Sequence, residues 1–178
     1  MRRRIGKPDL GLTGSMAESE ALDKTTDAIE FEKWKKWREE NHYIAYRESM
    51  DHVRNVQPGN PDNPKARFAN NLRTMIAKAL SPEDYEKIKF FTAVGSNLDY
   101  QHGVDAFFDI EIIEGETHTI TMDVKTYEPK RVKADVLIVY PEEGLDPEKD
   151  EEEWNDLLVQ SANSIISSFG SKIGLAAA

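Results

Sequence analysis

Hydrophobic and polar positions follow a helical period through the first part of the chain. Between residues 17 and 56, apolar residues recur at steps of three, four, seven and eight, with charged residues between them and no proline or glycine. This pattern predicts one long, polar helix or a pair of helices. The breaker-rich segment 57–64 predicts a connection, an amphipathic helix is expected over about 64–80, and Ser81 predicts the cap of a short third helix.

The middle of the chain changes to a period of two, which predicts β-strands. Residues 103–114 and 117–127 carry apolar side chains at alternate positions, and the short glycine-containing turn between them predicts a hairpin. The unbroken apolar run at 134–140 predicts a buried strand, and 88–94 predicts a further strand. After these strands, a stripe of apolar residues predicts a helix over about 150–169.

The predicted order of helices, strands and a final helix indicates an α+β or mixed α/β fold. We expect a small central sheet of three to four strands flanked by helices, with a long N-terminal helical arm. Gly170 predicts the end of the last helix. The expected organisation is a disordered basic arm, a long helix or helical pair, an α/β domain and a flexible tail, over residues 1–16, 17–56, 64–170 and 171–178.

The net charge of -10 over 178 residues argues against a protein that binds a phosphate backbone with its whole surface. However, nine acids and one base lie between Glu142 and Asp156, so this run carries most of the negative charge. The run predicts a solvated loop and the first turn of a helix. It leaves local basic patches available elsewhere in the chain.

Composition also excludes several classes of site. The chain has no cysteine, which excludes disulfides, thiolate zinc sites, iron–sulfur clusters and cysteine nucleophiles, and its four histidines lack metal-binding spacing. No apolar run approaches the length of a membrane span, and the basic start lacks the apolar segment of a secretory signal. We therefore expect no membrane partner and a cytoplasmic location, in the host cytoplasm if the protein is viral.

The predicted hairpin brings acidic residues and a lysine together. A strand has a period of two, so Asp123 and Lys125 project from the same face, and paired strands lie about 5 Å apart. Either Asp105 or Asp109 then comes close to Asp123. Two close carboxylates repel each other unless a cation neutralises them, and hard oxygen ligands suit Mg²⁺ or Mn²⁺. With a lysine beside the cation, this is the equipment for metal-assisted hydrolysis of a phosphodiester.

The residues Asp105 and Asp123-Val124-Lys125, with the lead-in DYQHGVD at 99–105, resemble the pattern of the PD-(D/E)xK nuclease superfamily. The fold of that superfamily is restriction-endonuclease-like. In its pattern, an acid near the start of one strand is followed, on the next strand of a hairpin, by an acid, any residue and a lysine. The resemblance covers about residues 64–169, and its specific part is 99–126.

The resemblance implies roles for individual residues. Asp105 and Asp123 would ligate Mg²⁺ or Mn²⁺, with the backbone carbonyl of Val124 as a further ligand. Lys125 would position the attacking water. The implied activity is the hydrolysis of phosphodiester bonds in nucleic acid.

Two further features of the family pattern concern the regions around the hairpin. An acid from the helix before the sheet often joins the ligands, and we expect Glu86, ahead of Glu83, because it lies nearer the strands. The family core also places a helix between the D-x-K strand and the next parallel strand. Here only residues 127–133 intervene, whereas a parallel crossover needs about a dozen residues. We therefore expect the strand at 134–140 to pair antiparallel, or to continue a long strand bent at Pro129.

These features favour a Mg²⁺-dependent nuclease, with DNA favoured over RNA. Lys130, Arg131 and Lys133 are expected to contact phosphates, or else to form a solvated strand edge. The polar N-terminal helix predicts a homodimer or a larger complex. One alternative function is a catalytically silent nuclease-like module that binds nucleic acid or serves as a structural subunit, for example of a phage or viral assembly. Another is an acidic interaction protein in which residues 142–156 mimic nucleic acid.

Overall fold

A computed structural model of the protein describes residues 14–24, 43–113 and 115–174. Within these residues the chain forms a mixed sheet of four strands flanked by helices, which confirms the predicted fold class. The helices are α1 (Gly14–Leu22), α2 (Tyr46–Val56), α3 (Arg67–Leu80), α4 (Asn97–His102) and α5 (Glu151–Lys172), with a 3₁₀ turn at Tyr85–Lys87. The strands are β1 (Ile88–Thr92), β2 (Ala106–Ile113), β3 (Glu116–Lys125) and β4 (Val136–Val139).

The four strands lie in the order β1-β2-β3-β4, and β2 is antiparallel to both β1 and β3. The predicted hairpin is therefore present, with Phe108 opposite Ile120. The prediction for the last strand was wrong, because β4 pairs parallel to β3, with Met122 opposite Val136. Residues 126–135 make this crossover without a helix. A short connection suffices because β4 has only four residues, so the loop returns only part of the length of β3.

Both faces of the sheet are covered. On one face, the even-numbered residues of β2 and β3 pack with α1, α3 and α5 in the larger core, which includes Phe68, Leu72, Ile120 and Ile165. On the other face, Met50 and Val53 of α2 and Leu98 of α4 pack against Phe91 and Phe107. This second layer explains why Phe107 is buried although it alternates with acidic residues along its strand.

Helix α5 runs through Gly170, where the sequence predicted its end. A glycine inside a helix costs only about 1 kcal/mol relative to alanine, and contacts of the last turn offset this cost. Phe169 is buried in the larger core, and the Lys172 ammonium donates to the carbonyl oxygen of Thr119 at 2.7 Å. The backbone turns left-handed only at Gly174, with φ of 73°. The acids of the run at 142–156 lie in an exposed loop and the first turns of α5, as predicted.

The N-terminal predictions are tested only in part. Helix α1 ends at Leu22 and Asp23 adopts a left-handed φ of 65°, so residues 17–56 do not form one continuous helix. Both α1 and α2 contribute to the apolar cores of the sheet. Helix α1 begins at Gly14, within the arm predicted over 1–16, and α5 ends at Lys172, within the tail predicted over 171–178. Residues 1–13, the segment 25–42 with its two tryptophans, and residues 175–178 lie outside the described part of the chain.

Two short helical segments differ from the sequence prediction. The helix expected from Ser81 is a 3₁₀ turn that begins at Tyr85, with the Asp84 carboxylate accepting from the backbone N–H of Glu86. Helix α4 was not predicted, because six residues are too few for a recognisable hydrophobic period. Its start is marked by Ser96, whose hydroxyl accepts from the backbone N–H of Leu98. Among the helices described, none has both the length and the apolar character that crossing a bilayer requires.

Candidate functional site

Asp105 occupies a fixed position at the start of β2. Its backbone N–H donates to the carbonyl oxygen of Met122 at 2.8 Å, and its own carbonyl accepts from the N–H of Ala93 at 2.7 Å. These two bonds tie the residue to both β3 and the end of β1. The residue is 0% exposed. The strand framework therefore places the carboxylate inside the molecule and leaves it little freedom to turn towards water.

Only one of the two oxygens of the Asp105 carboxylate accepts hydrogen bonds from the described residues. One oxygen, Oδ2, accepts from the backbone N–H of Val124 at 2.7 Å and from the Lys125 ammonium at 3.3 Å. The other oxygen, Oδ1, is buried and has no hydrogen-bond partner among the described residues. Burial, and then the nearby charge of Glu18, raise the pKa of Asp105 to about 8. A buried acceptor without a partner is costly, and such groups often mark a missing ligand.

Lys125 is the central cation of this region. Its ammonium lies 2.6 Å from Asp123 Oδ1, 3.0 Å from Glu18 Oε1 and 3.3 Å from Asp105 Oδ2. Burial alone would lower the pKa of Lys125, but these three carboxylates raise it above its usual value, so the ammonium stays charged. The side chain is 26% exposed, which makes it the most accessible part of the group. The structure thus brings together Asp105, Asp123 and Lys125, as the sequence pattern predicts.

Two carboxylates that the sequence did not assign to the site complete this group. Glu18 on α1 and Asp99 on α4 each place one oxygen within 4.8 Å of the other and of an oxygen of Asp105. The Asp99 carboxylate accepts from the backbone N–H of Gly95 at 2.8 Å. Burial is the main cause that raises the pKa of Asp99 to about 6, and the Glu18 charge adds to it. We call Glu18, Asp99, Asp105, Asp123 and Lys125 the carboxylate cluster.

Glu86 does not belong to the carboxylate cluster, which corrects its predicted role. It is exposed in the 3₁₀ turn before β1. In the β1–β2 register, Ile88 lies opposite Ile110 while Thr92 lies opposite Ala106, so Glu86 is at the far end of β1 from Asp105. Glu18, on a helix much earlier in the chain, takes the place expected for an acid from outside the sheet. Its approach to Lys125 depends on how α1 packs, for which the sequence carries no local signal.

Asp109, the alternative to Asp105 in the sequence prediction, is engaged elsewhere. Its carboxylate accepts from the Arg54 guanidinium at 2.8 and 3.1 Å and from the Thr119 hydroxyl at 2.6 Å. These contacts fix α2 to the middle of the sheet. Asp105 is therefore the aspartate of β2 that faces Asp123, and Asp109 has a structural role.

The crossover loop 126–135 carries the three predicted phosphate contacts. Lys130, Arg131 and Lys133 are exposed and form no ion pair with any described residue. The loop starts directly after Lys125, and its Ala134 packs against the apolar cluster that contains α4. The end of the loop, at Lys133 and Ala134, therefore lies on the same face of the sheet as the carboxylate cluster.

Gly103 lies between α4 and the crossover loop. It ends this helix in a left-handed conformation, with φ of 67°, which glycine adopts without strain. A β-carbon built on it would make an ordinary contact with Lys133, 3.6 Å from its Cδ. The chain then passes through Val104 directly to Asp105. The lead-in to Asp105 thus serves as a helix end and as a surface for the loop.

Val124 contributes to the cluster through its backbone N–H, which donates to Asp105. The role of its carbonyl as a metal ligand stays a prediction. Its side chain is 0% exposed in the larger core. The valine between Asp123 and Lys125 therefore anchors β3 while its two charged neighbours point to the opposite face.

The charges of the cluster are unbalanced. Four carboxyl groups surround one ammonium, and the oxygens of Glu18, Asp99 and Asp105 are close enough to share one cation. Carboxylate oxygens are the ligands that Mg²⁺ and Mn²⁺ prefer. The donor set therefore fits a divalent cation. Such a cation would also provide a partner for the buried Asp105 oxygen that has none among the described residues. Comparison of this chain with family models, with curated proteins and with solved structures found no match.

Proposed function

We propose that this protein is a divalent-metal-dependent nuclease that hydrolyses phosphodiester bonds, with DNA favoured over RNA, in the manner of the PD-(D/E)xK superfamily. One observation carries the proposal. The buried Asp105 carboxylate has an oxygen without a partner among the described residues, within a group of four carboxyl groups and a lysine. Burial of such a group destabilises the folded protein unless the group binds a ligand of opposite charge.

Three residues have carboxylate oxygens close enough to share Mg²⁺ or Mn²⁺: Glu18, in the place first expected for Glu86, Asp99 and Asp105. The family pattern adds Asp123, whose Oδ1 lies 2.6 Å from the Lys125 ammonium. A divalent cation held there would supply positive charge for phosphate oxygens and make a water molecule more acidic.

Lys125 acts as a charged donor in this proposal. Its ammonium reaches three carboxylates and is still partly open to solvent, so a phosphate oxygen or a water can approach it. A charged ammonium stabilises the negative charge that builds up on a phosphate during hydrolysis. It also orients a water by donating a hydrogen bond, while Val124 holds the Asp105 carboxylate in place.

The strand order supports the same proposal. In the family pattern, the strand after the D-x-K strand is parallel to it, and β4 is parallel to β3. The intervening helix of the pattern is replaced by the crossover loop 126–135, and α5 packs on the sheet instead. In this proposal the exposed cations of the same loop, Lys130, Arg131 and Lys133, contact phosphates of the substrate.

A cleavage assay tests the proposal. The protein is incubated with supercoiled, linear and branched DNA and with RNA, in Mg²⁺, Mn²⁺ or EDTA. We expect metal-dependent cleavage that Lys125→Ala reduces by about 100-fold or more, the scale for loss of one charge-stabilising donor. The exposed Lys89 on β1 gives a matched control, since Lys89→Ala should cleave normally. Absence of metal-dependent cleavage on every substrate, or full activity in Lys125→Ala, would contradict the proposal.

A second function has one observation in its favour. Lys125 already neutralises part of the cluster through its three ion pairs, which is compatible with a catalytically silent module. Such a module would bind nucleic acid, or serve as a structural subunit of a phage or viral assembly. Binding without cleavage under every metal condition would support it. The proposed homodimer or larger complex depends on the N-terminal segment, and residues 25–42 lie outside the described part of the chain.

A further inference from the structure

A concave surface lies on the same face of the sheet as the carboxylate cluster. It has a volume of about 290 Å³ and is lined by Tyr46, Arg47, Arg54, Thr119, Thr121 and Lys172. The two threonines alternate along β3 with the same phase as Asp123 and Lys125, so their side chains leave the sheet on the same side. We call this surface the tyrosine–arginine cavity.

Three cations line this cavity, and two of them are paired with carboxylates. Arg54 is paired with Asp109 and Asp51, and Lys172 is paired with Asp135. Arg47 is exposed and forms no ion pair with any residue that the structure describes. The cavity therefore offers one uncompensated cation beside hydroxyl groups, which suits a single phosphodiester better than a dense array of phosphates.

Aromatic rings extend from the cavity towards the carboxylate cluster. Tyr46 is 45% exposed and Tyr43 is 77% exposed. Both rings meet the ring of His102 edge-on, with centroids 5.3 and 5.6 Å away. His102 is the last residue of α4, and its ring nitrogen is held by the carbonyl oxygen of Ile44 at 2.9 Å. The contacts with His102 thus hold both tyrosine rings in place, while much of the surface of each ring faces solvent.

The distance between the two surfaces suits one strand of nucleic acid. Thr121 in the cavity wall and Lys125 in the cluster are four residues apart on β3, or about 13 Å at the rise of an extended strand. A short stretch of extended single strand spans this distance. Exposed aromatic rings stack on bases, and base faces are accessible in single strands but hidden within a duplex.

We propose that the substrate is single-stranded where it meets the protein, with one phosphodiester at Arg47 in the tyrosine–arginine cavity and bases stacked on Tyr43 and Tyr46. This inference rests on the proposed nuclease function, because it uses the carboxylate cluster as the place of reaction. It adds the class of substrate, a single strand or the single-stranded part of a branched molecule. It also assigns binding roles to residues outside the cluster.

Binding measured without cleavage tests this inference. Fluorescence anisotropy in EDTA compares a labelled oligo(dT) of about 12 nucleotides with a duplex of the same length. We expect the single strand to bind at least tenfold more tightly. Tyr43→Ala and Arg47→Ala should each weaken its binding about fivefold to tenfold, whereas Tyr43→Phe keeps the ring and should bind normally. Arg67→Ala on α3, beyond the opposite face of the sheet, is the matched control for arginine.

The outcomes separate this inference from the proposed function. Preferential binding of the duplex, or unchanged binding in both Tyr43→Ala and Arg47→Ala, overturns the inference even if the protein cleaves DNA. Binding with the expected variant pattern, but without cleavage in any metal, supports the inference and overturns the nuclease proposal. Heparin provides a polyanion without bases, and its binding should not change in Tyr43→Ala. A loss of heparin binding in that variant would attribute the effect to charge or folding and overturn the stacking role.

Discussion

At the scale of single residues, the period of a strand was sufficient to find two of the five members of the carboxylate cluster. Asp123 and Lys125 are two residues apart on β3, so their common face follows from backbone geometry alone. The choice of Asp105 over Asp109 required the register of the hairpin and the contact of Asp109 with Arg54. Glu18 was not predictable, because its contact with Lys125 joins residues 107 positions apart.

The buried acids of the cluster lead to a prediction about pH and stability. In the folded protein, the pKa values of Asp99 and Asp105 are about 6 and 8, above the usual value of 3.8. A raised carboxyl pKa means that the folded state holds more protons than the unfolded state, so its stabilising effect is present at low pH and is lost as pH rises through the folded pKa. In EDTA, the free energy of unfolding should therefore fall between about pH 4 and about pH 8.

Urea denaturation across this pH range measures the effect. Asp99→Asn removes the carboxyl group that titrates near pH 6, and its amide oxygen can still accept from Gly95, so the decline should become shallower. Asp156→Asn, at an exposed position on α5, should leave the profile unchanged. A free energy of unfolding that rises with pH in EDTA would disagree with the charge imbalance of the cluster.

At the scale of elements, the sequence predicted where helices and strands occur better than how they pack. The pairing of β4 was mispredicted because the usual length of a parallel crossover assumes strands of ordinary length, and β4 is short. The position of α1 was also unpredicted. This helix crosses the end of the sheet, where Glu20 accepts from the Tyr140 hydroxyl at 3.1 Å and the Asp23 carbonyl accepts from the Thr92 hydroxyl at 3.1 Å.

Helix α1 therefore offers a matched pair of variants for metal binding. Glu18 belongs to the carboxylate cluster, while Glu20, two residues further along the same helix, contacts Tyr140. Thermal unfolding with and without saturating Mn²⁺ should show a rise in Tm for the native protein, because a ligand that binds only the folded state stabilises it. Glu18→Gln should lose most of this rise. Glu20→Gln should keep it, since the amide oxygen can still accept from the Tyr140 hydroxyl, and equal rises in both variants would exclude Glu18 as a ligand.

At the scale of the whole molecule, the acidic run at 142–156 and the exposed cations of the crossover loop lie in different parts of the described structure. The run at 142–156 supplies most of the net charge of -10 but lies in the loop after β4 and at the start of α5. The crossover loop, with its exposed cations, lies on the opposite face of the sheet together with α4. The net charge of the chain therefore says little about the charge that a ligand would meet at the crossover loop. The local distribution, which the sequence shows only in part, is more informative.

This separation predicts how salt affects binding of nucleic acid. Neutralising phosphates releases counterions, so the logarithm of the binding constant falls with the logarithm of salt concentration, with a slope of about 0.7 per contact on a single strand. Replacing Lys130, Arg131 and Lys133 together by alanine should therefore weaken binding to oligo(dT) in EDTA and reduce the slope by about 2. The control replaces three exposed cations beside or on α3, at Lys65, Arg67 and Lys78. Because α3 packs on the other face of the sheet, this control should retain the native slope. Equal reductions in the two triple variants would mean that binding follows total charge, and the crossover loop would then have no special role.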